Sequence, residues 1–338
     1  MSATELKIFR LEHSSGAYVE LTSMGASWIS AVMPDREGKL ADVLLGYPTI
    51  EGFLSDPNYM GRTIGRFANR IKDASFALDG KEYKLDRNDG QNSNHSGCAG
   101  FSHKLFDAEQ LADNAVRFSL VSEDGDGGFP GEVHLTVTYT LTDALCLKID
   151  YEATTTEVTP LNLTNHAYFN LDAEGDILSH ELMIPTDRML EADEAFIPSG
   201  KVVDVRGGAF DFLHKKPIGR DIDMKNEQFV WNRGYNHCYL FTEERRDEAC
   251  GLRAELSSRK SGRCLRVYST LPAMQVYTGG YLDSETEGRF GRRVQPSDGV
   301  ALEAQFCPDS PNKPQFPSCI LRKGERYMHT IIFAFTTL

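Results

Sequence analysis

The chain has no surplus of positive charge, no cysteine pair at metal-binding spacing, no long apolar run and no low-complexity stretch. Each absence closes a class of function. Lys and Arg number 36 against 49 Asp and Glu, a net charge of −13. Nucleic acids and anionic membrane surfaces are held through clustered basic side chains, so neither is expected as a partner. The seven cysteines, Cys98, Cys146, Cys238, Cys250, Cys264, Cys307 and Cys319, are odd in number and form no CxxC pair. That pattern predicts reduced thiols and a cytoplasmic setting, not a disulfide framework or a zinc cage. HxH and HExxH spacings are also missing, so no metal and no cofactor are expected. The first residues, Met1-Ser2-Ala3-Thr4-Glu5-Leu6-Lys7, lack the apolar stretch of a secretory signal. No other run approaches the length that crosses a bilayer. With no Gly/Ser linker and no repeat, residues 1–338 read as one domain.

Strand patterning dominates what is present. Val133, Leu135, Val137, Tyr139 and Leu141 alternate with His134, Thr136, Thr138 and Thr140. After Thr142-Asp143-Ala144 the alternation resumes in Leu145, Leu147, Ile149 and Tyr151. This predicts a hairpin with one buried face. Val116, Phe118 and Leu120 repeat the pattern, as does the run 326–338. No 3.6-residue period lasts long enough for a substantial helix; 47–54 and 102–110 are the candidates for short ones. A hydrophobic fraction of 41% with 25% charged residues is ordinary for a globular protein. Large β-sandwiches reach this length as one unit, so the fold class is all-β, a large antiparallel β-sandwich.

Four separated segments carry the chemistry. They read Gly65-Arg66-Phe67-Ala68-Asn69-Arg70-Ile71, Asn92-Ser93-Asn94-His95-Ser96-Gly97, Leu163-Thr164-Asn165-His166-Ala167-Tyr168-Phe169-Asn170-Leu171 and Ala301-Leu302-Glu303-Ala304-Gln305-Phe306-Cys307-Pro308-Asp309. Brought together, they offer a carboxylate, two imidazoles and a fixed cation, a set able to move two protons on a neutral polyol. Taken singly, three of these residues have a plainer reading. Glu303 sits on the polar face of an alternating segment, His166 resembles a hydrogen-bonded core histidine, and His95 suits a solvent-exposed turn.

In order and along nearly the whole chain, these segments resemble those of the aldose 1-epimerases, also called galactose mutarotases. The resemblance implies a galactose mutarotase-like supersandwich with its active site in an open cleft on one sheet. By the same resemblance, Glu303 is the general base, His166 the general acid at the sugar ring oxygen, and His95 a second catalytic imidazole. Arg70 matches the substrate-side arginine, whose planar fork suits sugar oxygens; Arg62 and Arg66 read as structural. Gln275, within Met274-Gln275-Val276-Tyr277, matches a glutamine that reaches the sugar, and Tyr277 or Tyr281 is placed to stack on a pyranose face. The chain departs from the family at two places. Asn94 and Ser96 flank His95 where leucine and glycine are usual. Gly234-Tyr235-Asn236-His237 carries Asn236 where the family has an aspartate, keeping a hydrogen-bonding side chain but not its charge. His237 reads as structural.

The implied reaction interconverts the α and β anomers of a free aldohexose such as galactose or glucose. Glu303 removes the O1 proton, His166 protonates O5, the C1–O5 bond breaks, and closure on the other carbonyl face reverses the roles. This asks for an ionised base and a protonated acid, hence a His166 pKa held near or above its free value of about 6.5. A free aldohexose is the expected partner, and the chain is expected to be a monomer or homodimer. Rival readings are a hexose-6-phosphate 1-epimerase, which needs extra cations near the cleft, and a non-catalytic carbohydrate-binding β-sandwich, which needs no carboxylate facing an imidazole. A glycoside hydrolase needs a second carboxylate, and Asn236 removes the obvious one.

Overall fold

The expected hairpin forms. In the computed structural model, which describes residues 5–241 and 250–338, Val133–Leu141 pairs with Cys146–Thr155. The apolar residues of the alternating pattern lie on its buried face. This pair sits within a nine-stranded antiparallel sheet. Its order is Asp107–Ala112, Ala115–Ser122, Val133–Leu141, Cys146–Thr155, Tyr327–Thr337, Arg263–Ser269, Gly251–Ser257, Glu181–Met183 and Lys216–Pro217.

The second large sheet has six antiparallel strands, in the order Tyr168–Phe169, Val300–Gln305, Ala273–Tyr277, Asn236–Leu240, Arg188–Ala192 and Pro198–Asp204. Tyr239, Met274, Val276, Leu302 and Ala304 from this sheet share one buried cluster with Val137, Tyr139, Ile331 and Phe333 from the other. The two sheets thus bury a common core, as the sandwich reading requires. A four-stranded N-terminal sheet joins the same core through Trp28. Its ring lies 5.7 Å from Phe169 and 5.2 Å from Phe333, tying all three sheets together.

Among the described residues the α-helices are short, Ile50–Leu54 and Glu227–Asn232, and none is long and apolar enough to cross a membrane. The first falls inside 47–54 as expected. The expectation for 102–110 fails. That stretch holds a 3₁₀ turn, Phe101–His103, and then the edge strand Asp107–Ala112. Asp107 to Gln110 pair in register with Val116 to Ser119, and sheet pairing overrides the modest helix propensity of Ala, Glu and Gln. The run around His166 is also not one strand. Thr164–Asn165 and Tyr168–Phe169 are two-residue strands that pair in different sheets, with His166 at the corner between them.

Candidate active site

Period-two alternation decides which side chains of the six-stranded sheet meet the cleft. Leu302 and Ala304 enter the core, so Glu303 takes the opposite face. Register places Gln275 directly across from Glu303, and Cys238 across from Gln275. Two residues along, Asn236 stands opposite Tyr277 on the same face. His237 falls on the core face, 4.6 Å from the Phe210 ring. Its Nδ1 accepts from the Asn236 N–H and its Nε2 donates to Gln228.

Over this face lies a cleft of about 380 Å3. Glu303, His166, His95, Arg70 and Asn236 all line it, with Tyr168, Tyr277 and Tyr281 among its aromatic walls. Glu303 is 2% exposed and His166 4%, and Glu303 Oε2 stands 3.6 Å from His166 Nε2, longer than a hydrogen bond. Neither that carboxylate oxygen nor His166 Nδ1 finds a hydrogen-bond partner among the described residues. Asn165, next to His166, is structural: its Nδ2 donates to the Gly61 carbonyl and its Oδ1 accepts from the Ala167 N–H.

The remaining residues reach the cleft through paired loops. Arg70–Ile71 pairs with Ser93–Asn94, setting Arg70 opposite Asn94. Directly after this pairing His95 Nδ1 accepts from the Asn69 backbone N–H at 3.1 Å, so the neutral ring carries its proton on Nε2 and is a donor there. Ser96 adopts the left-handed φ of +66°, which glycine favours, and its hydroxyl bonds both the N–H and the C=O of Phe67. The loop after Glu303 locks Arg70 from the other side. The Asp309 N–H donates to the Arg70 carbonyl at 2.7 Å, and Asp309 Oδ1 accepts from the Lys72 N–H. Arg62 and Arg66 are structural as expected. Arg62 donates to the carbonyls of Ser102 and Phe53, and Arg66 to those of Ser122, Glu123, Pro130 and Gly131.

Gln275 lies on the same face of the sheet, directly across from Glu303. It is 5% exposed, and its Nε2 donates to Asn236 Oδ1 at 2.6 Å. That bond takes one lone pair of the Asn236 oxygen, and among the described residues the Asn236 amide nitrogen donates to none.

Burial sets the proton inventory. Desolvation raises Glu303 to about 8, against the opposing pull of the Arg70 charge, and lowers His166 to about 4. His95 lies well below its usual value, first from burial and then from His166 and Arg70. The expectation of a His166 pKa near or above 6.5 is therefore corrected. In a dry site the carboxyl is itself neutral and cannot hold the imidazolium. Between those two values the Glu303–His166 pair keeps one proton and no net charge.

Three cleft residues carry no signal that sequence patterning could use. Tyr59, at φ +59°, sets its ring 4.9 Å from His95 and 6.1 Å from His166. Phe196, at φ +62°, lies under the Arg70 guanidinium at 4.6 Å. Asp89 forms an ion pair with Arg70. All three sit outside periodic segments, and turn geometry alone brings them in.

The aldose 1-epimerase family model matches residues 7–334. The galactose mutarotase of Rattus norvegicus is 41% identical over 320 residues, 94% of this chain and 91% of that protein. The aldose 1-epimerase of Escherichia coli (strain K12) is 36% identical, with 95% and 92% covered. Among solved structures, a GalM/aldose epimerase homologue from C. elegans superposes with a TM-score of 0.91 at 30% identity, covering 99% of this chain and 100% of that one. A galactose 1-epimerase from Lactobacillus acidophilus NCFM gives 0.84 at 25% identity, with 99% of each chain covered. With the same supersandwich and a match along almost its full length, the chain belongs to the aldose 1-epimerase family of carbohydrate isomerases.

Proposed function

We propose that the chain is a mutarotase that interconverts the α and β anomers of free aldohexoses, galactose and glucose among them. The observation that carries this reading is the buried Glu303–His166 pair, 3.6 Å apart in the wall of an open cleft. A proton shift within the pair turns carboxylic acid and imidazole into carboxylate and imidazolium without changing the charge of the site. From that form Glu303 takes the O1 proton as the C1–O1 double bond develops. His166 delivers its proton to O5 as the C1–O5 bond breaks. The pair ends as carboxylic acid and imidazole, rotation about C1–C2 exposes the other carbonyl face, and the same two protons return on closure. His95, a neutral Nε2–H donor, and Arg70 steady the oxygens whose charge changes. Asn236 binds a sugar hydroxyl through its amide nitrogen, and Gln275 holds Asn236 in place. Tyr277 and Tyr281 offer ring faces to the apolar side of a pyranose.

The seven unpaired thiols support a cytoplasmic setting, and the core shared by three sheets supports one domain over residues 1–338. Relatives named for galactose make it the first sugar to test. The protein is expected to speed the change in optical rotation of fresh α-D-galactose or α-D-glucose with EDTA present. Unchanged traces with every free aldose, or activity lost on chelation, would overturn the reading.

Asn236 supplies a second test. Asn236→Asp trades the amide donor for a charged acceptor in the cleft wall. It is expected to shift KM or the galactose-to-glucose preference by about 1–2 kcal/mol and to leave the shape of the pH profile alone. Equal KM and preference in both proteins would place Asn236 outside the sugar site.

A further inference from the structure

We propose that Asp89 is a positioning and specificity residue: it fixes Arg70 and cancels its charge, so that the cleft admits neutral sugars and rejects phosphorylated ones. This names the substrate class of the mutarotase site and rests on the mutarotase reading.

Asp89 Oδ2 meets Arg70 Nε at 2.6 Å, and both residues line the cleft. The carboxylate is delivered by the same local structure that presents the arginine. Asp89 begins a tight turn in which the Asn92 N–H donates to its carbonyl at 2.9 Å and Gly90 takes φ +60°. The next two residues, Ser93 and Asn94, pair with Ile71 and Arg70. The Arg70 guanidinium also lies over the Phe196 ring, 4.6 Å from its centre. Because the ion pair runs through Nε, the planar fork is held at its base and its terminal nitrogens stay available to sugar oxygens.

The charge balance follows from the lining residues. Arg70 is the cation among them, and Asp89 and Glu303 are the acids. Burial holds Glu303 and His166 as a pair with no net charge near neutrality, and His95 is neutral. Asp89 therefore sets whether the cleft is neutral or cationic. A neutral polyol needs no net charge, whereas a phosphate would meet an acid beside the arginine it must bind. The Arg70 and Asp89 side chains are 14% and 38% exposed, so the pair is partly shielded from solvent screening.

The test measures binding of inorganic phosphate and of a hexose 6-phosphate by titration calorimetry, beside mutarotation of galactose. Asp89→Asn leaves Arg70 uncompensated and is expected to tighten phosphate binding about tenfold over wild type. The gain should vanish in Arg70→Gln/Asp89→Asn and at high ionic strength, and Asp89→Glu should restore wild-type behaviour. A looser Arg70 should also lower kcat/KM for galactose several-fold, because the arginine both binds the sugar and steadies the oxygens whose charge changes. Equal phosphate affinity in wild type and a folded Asp89→Asn overturns the inference; Asp89→Ser takes its place if the asparagine variant does not fold. The titrations need no turnover. An inactive wild type would therefore count against the mutarotase reading, whereas an active wild type with unchanged phosphate binding in Asp89→Asn would count against Asp89 alone.

Discussion

Glu303→Gln is expected to lower kcat by roughly 10²–10⁴-fold while KM for galactose moves far less. Glutamine keeps the size of the side chain and can still bond a hydroxyl, but it cannot take the O1 proton. The position is unforgiving because Glu303 stands in a strand buried along its whole length, where solvent is a poor substitute for the missing base. His166→Asn should cut kcat by a comparable factor, since the O5 leaving group then departs without its proton. The double variant should be little worse than the poorer single one, because acid and base act as one unit and their losses do not add. Near-normal turnover in Glu303→Gln together with collapsed sugar binding would make Glu303 a binding residue and leave a carbohydrate-binding sandwich as the better description.

The pH dependence of kcat/KM should be a bell with limbs near about 4 and 8, the values to which burial drives His166 and Glu303. The working pair holds one proton. Below the lower limb both groups are protonated and no base remains; above the upper limb both are deprotonated and no acid remains. The limbs belong to the coupled pair and not to either residue alone. Still, Glu303→Gln should remove the upper limb, and His166→Asn the lower. An acidic limb near about 6.5, the free imidazole value, would mean that His166 keeps its solvated behaviour, contrary to its burial.

Where a residue's role follows from alternation, the sequence is a good guide. The apolar faces of Val133–Leu141 and Tyr327–Thr337 are legible because a two-residue period writes itself into composition. The same period separates Glu303 from Leu302, and Asn236 from His237. The four chemical segments stand out because their strings resemble a family, and the fold brings Glu303, His166, His95 and Arg70 to one cleft. Asp107–Ala112 defeats local pattern because edge pairing decides its conformation. Tyr59, Asp89 and Phe196 escape it because backbone turns, which leave no periodic trace, carry them into the cleft. The proton state of His166 is hidden for a related reason: a neighbouring carboxylate can be read from a sequence, but its desolvation cannot.

If Glu303 and His166 act as base and acid, the ring opens at C1–O5 and O1 is never released. Exchange NMR of [1-¹³C]galactose in ¹⁸O-enriched water reads both points in one sample, since anomer exchange and the isotope shift of labelled C1 are resolved together. The protein should speed α–β exchange many-fold with no ¹⁸O entering position 1 beyond the uncatalysed background. Label entering in step with turnover would mean that C1–O1 breaks and water attacks, which is incompatible with Glu303 taking the O1 proton and His166 protonating O5.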